Sequence, residues 1–249
     1  MDLQLAKGVF NCIDNTTLNA TDNEASVEAF CRRTLEFSVE GCHVAAVCVY
    51  PRFVDVAKRV LDGSGIRVAS VAGAFPHGQL PIELKVDEVS YAVAHGADEV
   101  DVVMSRGLLL AGDYTAACAE IEAMKKACRG RTLKVILETG ELSSPTLIAR
   151  ATEVAIDGGA DFVKTSTGKI PVGATLEAAE VMLNVVKDKV KYNKKTVGFK
   201  AAGGIRNPEE AVKYARLAQR ILGEEYIKPS LFRIGASSLT DSLYALINT

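Results

Sequence analysis

The sequence predicts an α/β fold, a single (β/α)8 or TIM barrel that spans residues 1–249. Three observations lead to this prediction. The chain of 249 residues is 48% hydrophobic, and a barrel of this kind takes about 250 residues as one domain. Short apolar runs rich in β-branched residues alternate with helix-like stretches along the whole length. No segment rich in proline, glycine or serine divides the chain.

The apolar runs are expected to form the strands, and there are eight of them. They comprise residues 8–14, 43–50, 66–75, 98–104, 133–140, 161–166, 196–204 and 231–238. Eight strands that alternate with helices are typical of the closed barrel. The alternative is an open, doubly wound sheet, which usually shows a glycine-rich fingerprint after its first strand. The segment CIDNTTLN at residues 12–19 has no such fingerprint, so the barrel is favoured.

Three stretches between these runs carry helix signals. Residues 81–97 have an apolar stripe with helical spacing and end near a glycine. Residues 144–160 open with serine and proline, which suit a first turn, and close on two glycines. Residues 207–222 open with Asn207 as the predicted cap and Pro208 at the first helical position, followed by two glutamates that the helix dipole favours.

Charge and composition argue against several classes of partner. The formal net charge is -2 and no basic block occurs, so we expect no nucleic-acid partner. No apolar run approaches the roughly 18 residues of a membrane span, and we expect no membrane partner. The N-terminal segment lacks the basic and apolar regions of a secretory signal, and the cysteines form no C-x-x-C pair. These features favour a cytoplasmic protein with reduced thiols.

The three histidines give no sign of a metal site. They are His43, His77 and His95. None has a partner at the spacing of metal ligands, so the sequence predicts that no metal is used.

Polar residues stand at the C-terminal ends of several predicted strands, where barrels of this kind place their active sites. They are Asp14, Cys48, Asp101, Glu138, Lys164 and Lys200. Alternate residues of a strand face the barrel interior, and the sequence does not decide which set points inward. If the charged set does, Lys164 and Lys200 meet at the mouth of the barrel. The two aspartates then lie across from them.

The pair of lysines predicts a particular chemistry. A lone lysine at a strand end usually extends to solvent or pairs with a carboxylate. Two lysines on neighbouring strands favour another interpretation, because burial and like-charge repulsion both lower the pKa of a lysine. A neutral amine attacks carbonyl carbon and forms a Schiff base. The segments FVK and GFK, which end at Lys164 and Lys200, therefore predict a Schiff-base enzyme.

Glycine- and serine-rich segments follow the last three predicted strands. They are STGK at residues 166–169, GGIR at 203–206 and GASS at 235–238. Barrels commonly bind phosphate with the loops after strands 7 and 8 and a helix N-terminus. Glycines let the backbone approach the anion, and serine hydroxyls add donors. GGIR by itself could be only a turn, but its place after the seventh strand favours a phosphate site.

Several longer blocks carry a resemblance to a known family. The blocks are GADEVDVV, LKVILETGEL, GADFVKTSTGK, TVGFKAAGGIR and RIGASSL, with CIDNTTLN and VCVYPRF nearer the start. In this order they resemble the signature blocks of deoxyribose-phosphate aldolases, which are class I aldolases. The resemblance implies reversible cleavage of 2-deoxy-D-ribose 5-phosphate to acetaldehyde and D-glyceraldehyde 3-phosphate, in deoxyribose phosphate catabolism. It also implies a homodimer that needs no metal or organic cofactor.

The same resemblance implies roles for individual residues. Lys164 would form the Schiff base, Lys200 would keep Lys164 deprotonated, and Asp101 would transfer protons together with a bound water. The residues expected to line the substrate pocket are Asp14, Thr16 and Cys48. Thr167 would bind the substrate, and the residues expected around the phosphate are Gly168, Lys169, Gly203, Gly204, Arg206, Gly235, Ser237 and Ser238.

The sequence also departs from the family pattern, which leaves alternatives open. Ala201 stands where the family has proline, and Gly73 and Ala74 replace polar residues in the loop after the third strand. Many members end in a flexible tail with a terminal tyrosine, whereas Tyr244 is predicted to lie inside the last helix, so we expect lower turnover. The alternatives are another phosphate-binding Schiff-base aldolase or transaldolase, and a catalytically weak barrel that serves as a binding or scaffold protein.

Overall fold

The protein is a closed barrel of eight parallel strands, seen in a computed structural model that describes residues 2–38, 41–193 and 196–248. The strands are β1 (Ile13–Thr16), β2 (Ala46–Val49), β3 (Arg67–Ala72), β4 (Glu99–Val103), β5 (Thr132–Ile136), β6 (Phe162–Lys164), β7 (Gly198–Ala202) and β8 (Phe232–Ala236). Each strand pairs with the next one along the chain, and β8 pairs with β1. The predicted (β/α)8 fold is therefore confirmed.

Helices cover the outside of the barrel. They are α1 (Leu3–Phe10), α2 (Glu24–Glu36), α3 (Val54–Val60), α4 (Ile82–Ala94), α5 (Arg106–Leu110), α6 (Tyr114–Ala127), α7 (Pro145–Asp157), α8 (Leu176–Asn193), α9 (Pro208–Leu222) and α10 (Leu239–Ile247). Across the described ranges of the chain, no helix combines the length and the apolar character that a membrane span requires.

The first predicted strand needs a correction. The sequence predicts a strand over residues 8–14, whereas α1 continues to Phe10 and β1 begins at Ile13. Asp2 caps α1 by accepting two backbone N–H groups of its first turn. Val9 is buried on the face of α1 that packs against the core. The apolar run crosses the boundary between helix and strand, so its composition alone did not mark that boundary.

All three stretches predicted as helices are helical, as α4, α7 and α9. Asn207 caps α9 by accepting the backbone N–H of Glu210, and Pro208 is the first residue of that helix. Ser144 caps α7 by accepting the N–H of Leu147. The cap residues therefore fix these helix starts for the reason that the sequence indicated, since each satisfies a donor that has no partner inside the helix.

The strands are buried on both faces, but the two faces differ in chemistry. On β4, Val100 and Val102 belong to the apolar core that the strands share with the helices. Glu99 and Asp101 alternate with them and bond to side chains of β8 and β5. The alternation of a β-strand thus separates an apolar outer layer from a charged interior. The charged residues predicted for the site, Asp14, Asp101, Lys164 and Lys200, lie in this interior.

Candidate active site

The parallel register brings the predicted lysines side by side. Lys164, the last residue of β6, is paired in register with Lys200 of β7. Asp101 of β4 is paired in the same way with Lys134 of β5. All four side chains are buried. The set of strand positions that carries the charges therefore points into the barrel, which the sequence had left undecided.

One carboxylate connects these lysines. Lys164 Nζ and Lys200 Nζ both donate to Asp101 Oδ2, at 2.8 and 2.7 Å. Lys134 Nζ donates to the other oxygen, Oδ1, at 2.6 Å. Asp101 thus shares a single negative charge among three amines, and none of these amines has the carboxylate to itself.

Asp14 extends this network on the opposite side of Lys200. Its Oδ2 accepts from Lys200 Nζ at 2.5 Å, and its Oδ1 accepts from Arg233 Nη1 at 2.5 Å. Lys134 Nζ lies 3.3 Å from Asp14 Oδ2. Asp14 therefore lies in the buried charge network below the lysine pair, where it balances the charge of Lys200.

Three members of the network were not among the residues predicted for the site. Lys134 Nζ lies 2.7 Å from Glu99 Oε2, and Arg233 donates to both oxygens of Glu99, at 2.6 and 3.0 Å. Lys134 and Arg233 lie within the apolar runs LKVIL and LFRIG. A cation in the middle of a strand that is buried on both faces is the signal that could have found them, because an unpaired charge there is very costly.

The two lysines of the pair differ in their tendency to lose a proton. Burial lowers the pKa of Lys164, Asp101 opposes this effect, and the positive charge of Lys200 lowers the pKa further, so that the net shift is downward. Burial also acts to lower the pKa of Lys200, but the attraction of Asp101 and Asp14 outweighs it and the net shift is upward. Lys164 is therefore the amine that becomes neutral first, and Lys200 stays protonated.

The carboxylates of the network remain ionised. Burial acts to raise the pKa of Asp101, but Lys134, Lys164 and Lys200 together hold that pKa well below its ordinary value. Burial has the same effect on Glu99, where Lys134 and Arg233 prevail and lower the pKa to about 2. Lys134 is in turn protonated, because three carboxylates raise its pKa against the effect of burial.

A cavity of about 250 Å³ opens above Lys164 at the C-terminal mouth of the barrel. Lys164 forms part of its wall, and most residues that were predicted to bind substrate line it too. These are Thr16, Thr167, Gly168, Lys169, Gly203, Gly204, Arg206, Gly235, Ser237 and Ser238. The structure therefore brings the three predicted phosphate loops together around one cavity that ends at the lysine.

Glycine is required where two of these loops meet. Gly203 has a φ of +88°, and a Cβ there would lie 3.0 Å from the Cα of Gly173 and 3.2 Å from that of Gly168. Lys169, in the same loop as Gly168, donates from Nζ to the carbonyl oxygen of Leu18 across the cavity. The cavity wall is thus built from closely packed backbone, which exposes N–H groups to an anion more readily than a wall of side chains.

Glu138 supports this wall from behind. It follows β5 in a left-handed conformation, with φ 56°, and is fully buried. Its carboxylate accepts from the backbone N–H of Thr167 at 3.2 Å and from Thr167 Oγ1 at 2.5 Å. Thr167 Oγ1 accepts in turn from the N–H of Lys169 at 3.1 Å. Glu138, identified in the sequence as a polar strand end, therefore orients a loop of the cavity.

Cys48 lies under the cavity and not on its surface. It is buried in a small apolar cluster with Leu18, Ala46, Ala69 and Val71. Burial raises the pKa of the Cys48 thiol to about 11, so the thiol is neutral at physiological pH. Cys48 occupies the second strand close enough to Lys164 for the two groups to interact electrostatically.

The described residues contain no group of three or more His, Cys, Asp or Glu side chains that could hold a metal ion.

Tyr244 lies inside α10, where the centroid of its ring is 5.2 Å from that of the Phe37 ring and 6.3 Å from that of the Phe10 ring. Tyr244 is therefore part of the helical layer, as its sequence position indicated, and not of the cavity wall.

Comparison with known proteins places this architecture in one family. The family model for DeoC/LacD family aldolases matches residues 9–243. A solved structure described as QR15, an aldolase, is 31% identical over 96% of both chains, with a TM-score of 0.78. A Coccidioides immitis protein provisionally named deoxyribose-phosphate aldolase is 30% identical over 97% of this chain and 86% of its own, with a TM-score of 0.84. The tetrameric deoxyribose phosphate aldolase of Aeropyrum pernix is 25% identical over 99% and 97%, with a TM-score of 0.76.

Proposed function

Because the chain belongs to the DeoC/LacD family of aldolases and is therefore a carbon–carbon lyase, we propose that it cleaves 2-deoxy-D-ribose 5-phosphate reversibly to acetaldehyde and D-glyceraldehyde 3-phosphate. One observation carries the proposal: the amine with a lowered pKa, Lys164, ends a cavity whose walls are glycine- and serine-rich loops suited to a phosphate. The name of the Aeropyrum pernix structure supports the same substrate.

The reaction begins with the neutral amine of Lys164. Its nitrogen adds to the C1 aldehyde of the open-chain sugar, and loss of water leaves a protonated imine. A proton then leaves the C3 hydroxyl, the C2–C3 bond breaks, and its electron pair moves to the imine to form an enamine. D-Glyceraldehyde 3-phosphate departs. Protonation of the enamine at C2 and addition of water release acetaldehyde and restore the amine.

Asp101 and Lys200 serve the proton transfers in this scheme. Asp101 contacts both lysines through one oxygen, so it can pass a proton between a bound water and the amines. Because its pKa is lowered, Asp101 is a weak base. It is therefore better suited to pass a proton on to another group than to keep it. Lys200 keeps its charge, and this charge favours the neutral form of Lys164.

The loops after β6, β7 and β8 bind the phosphate in this proposal. Ser238 precedes α10, so the cavity lies at a helix N-terminus. The positive end of the helix dipole and the free N–H groups of its first turn favour an anion there. Arg206 and Lys169 add positive charge to the wall.

The experiment that tests the proposal is reduction with borohydride in the presence of 2-deoxyribose 5-phosphate, followed by mass spectrometry of the intact protein and its peptides. A reduced adduct on the peptide that contains Lys164 is the expected result. A second portion treated without sugar controls for nonspecific modification. A folded protein that shows no adduct would favour the scaffold alternative, and an adduct formed only with other phosphorylated aldehydes would indicate a different Schiff-base aldolase.

The finer expectations about cell biology belong to the same proposal. We propose a cytoplasmic homodimer that acts in deoxyribose phosphate catabolism, on the strength of the family resemblance. The Aeropyrum pernix relative is described as a tetramer, so light scattering at several protein concentrations is the measurement that distinguishes a dimer from a higher assembly.

A further inference from the structure

Seven buried charged side chains on the strands of the described chain form one connected set inside the barrel, here called the charge column, and it holds more cations than carboxylates. The cations are Lys134, Lys164, Lys200 and Arg233, and the carboxylates are Asp14, Glu99 and Asp101. All lie on strands and contact one another through the hydrogen bonds and ion pairs given above. If every group were ionised, the column would carry one positive charge in excess. A net charge is unfavourable in an interior of low dielectric constant, so the loss of a proton from one cation is favoured.

The ion pairs of each cation indicate which one loses its proton. Lys134 pairs with three carboxylates, and Lys200 pairs with two. Arg233 pairs with two, and a guanidinium does not lose its proton in proteins. Lys164 has one carboxylate in this column, Asp101, and shares it. Loss of the proton from Lys164 leaves three cations facing three carboxylates.

We propose that Glu99 and Arg233, which lie below the lysine pair and do not line the cavity, are positioning residues that set the proton occupancy of Lys164 through the charge balance of the column. The inference rests on the proposed Schiff-base function. It assigns a role in catalysis to an ion pair that contacts neither the substrate cavity nor the reacting amine.

Asp14 transmits the effect. Arg233 Nη1 occupies its Oδ1, while Lys200 occupies its Oδ2. Without the charge of Arg233, Asp14 attracts Lys200 and Lys134 more strongly. These two lysines then neutralise the charge of Asp101 less. Asp101 therefore stabilises the protonated form of Lys164 more strongly. When the charge of Glu99 is removed, Lys134 pairs more strongly with Asp14 and Asp101, and Arg233 pairs more strongly with Asp14. Asp101 then stabilises the protonated form of Lys164 less strongly.

The other titratable groups that face the column do not change this balance. The thiols of Cys12, just before β1, and Cys48, on β2, are neutral because burial raises their pKa to about 12 and about 11. Arg67, on β3, donates to Glu99 at 2.9 Å, but its side chain is 51% exposed and water screens its charge. Glu138, which follows β5, is also fully buried, but its carboxylate accepts from Thr167 and forms no ion pair with a member of the column.

The two partners of the ion pair make opposite predictions. Arg233→Met removes a cation, so the pKa of Lys164 rises and the acidic limb of the pH profile of kcat/KM moves up by about one unit. Glu99→Gln removes an anion and moves the limb down by a similar amount. The double variant restores the balance, and its limb returns to that of the wild type. Arg67→Met is the matched control, with an expected shift of less than about 0.3 units because the charge is screened.

The same limb is measured independently as the pH dependence of borohydride-trapped adduct at Lys164. Shifts of the two single variants in the same direction, or the absence of a shift in folded variants, would overturn the inference. Should Arg233→Met not fold, Arg233→Lys must retain the wild-type limb and Glu99→Gln must still lower it. If the wild type forms no adduct at any pH, the proposed function fails; if it does and the limbs do not move, only this inference fails.

Discussion

Two buried lysines of this protein have different surroundings. Lys85, on α4, is fully buried and donates to Ser105 Oγ and, at 3.1 Å, to Glu120 Oε2. Ser105 Oγ donates to the same carboxylate oxygen at 2.5 Å. Lys164 is buried to a similar degree, but its carboxylate also accepts from two other lysines.

The two lysines differ in how many cations share their carboxylate partner, and not in their depth of burial. Burial disfavours the charged form of any lysine, and a carboxylate partner opposes that effect. Lys85 donates to one carboxylate, that of Glu120, and to the hydroxyl of Ser105. Asp101 is shared by three amines. Burial and the charge of Lys200 outweigh its attraction, and the pKa of Lys164 is lowered. The number of cations for each carboxylate, and not the depth of burial, separates a structural lysine from a proposed nucleophile.

The largest expected effect is that of Lys164→Ala. We expect kcat/KM for 2-deoxyribose 5-phosphate to fall by about 10⁴-fold or more, because the group that forms the covalent bond is absent. Steady-state kinetics with a coupled assay for the aldehyde product measures this effect. Circular dichroism controls for folding, and a folded variant with more than a few per cent of wild-type activity would be incompatible with the proposed role.

Lys200→Leu is expected to have the next largest effect. The charge of Lys200 lowers the pKa of Lys164, so its removal raises that pKa, and the neutral amine then appears only at higher pH. Activity near neutral pH should fall by about 100-fold and should recover partly as the pH rises. The measurement is the pH profile of kcat/KM. A folded variant with the profile of the wild type would contradict the role given to Lys200.

Lys85→Met tests the other side of the comparison. Removal of the amine leaves Glu120 and Ser105 without their buried partner, and we expect the free energy of unfolding to fall by about 2 kcal/mol. The adduct at Lys164 should still form. Urea denaturation measures the stability. Lys58→Met is the control, because Lys58 and Asp98 form a partly exposed pair whose loss should cost less than about 1 kcal/mol. Loss of the adduct in folded Lys85→Met would remove the distinction between the two lysines.

Glu138→Gln has the smallest expected effect and concerns the cavity wall. The amide offers one oxygen where the carboxylate accepts two bonds from Thr167, so the loop loses a charge-assisted bond. We expect KM for the phosphorylated substrate to rise by about tenfold with little change in kcat. Cleavage of the unphosphorylated sugar serves as the control. An equal loss with both sugars would show that Glu138 acts on the lysines and not on the phosphate loops.

The sequence by itself determined the order of the strands and the lysine pair of the candidate site. The alternation of apolar runs with helices predicted the barrel, and Ser144 and Asn207 predicted two helix starts that the structure has. Local bonds decide such features, because a cap or a turn needs only neighbouring residues. Lys164 and Lys200 were predicted for a similar reason, since they lie on consecutive strands and parallel neighbours bring them together in register.

Only the tertiary structure decided which strand face points inward and which charges meet there. The strands of a parallel barrel are buried on both faces, so their apolar residues do not distinguish the interior from the helix-covered exterior. Closure of the barrel decides this, and it brings Arg233 to Asp14 and Glu99 from distant parts of the chain. The start of β1 also depended on packing, because the apolar run of α1 continues into the strand. Long-range charge balance therefore required the fold, whereas the presence of two lysines on neighbouring strands did not.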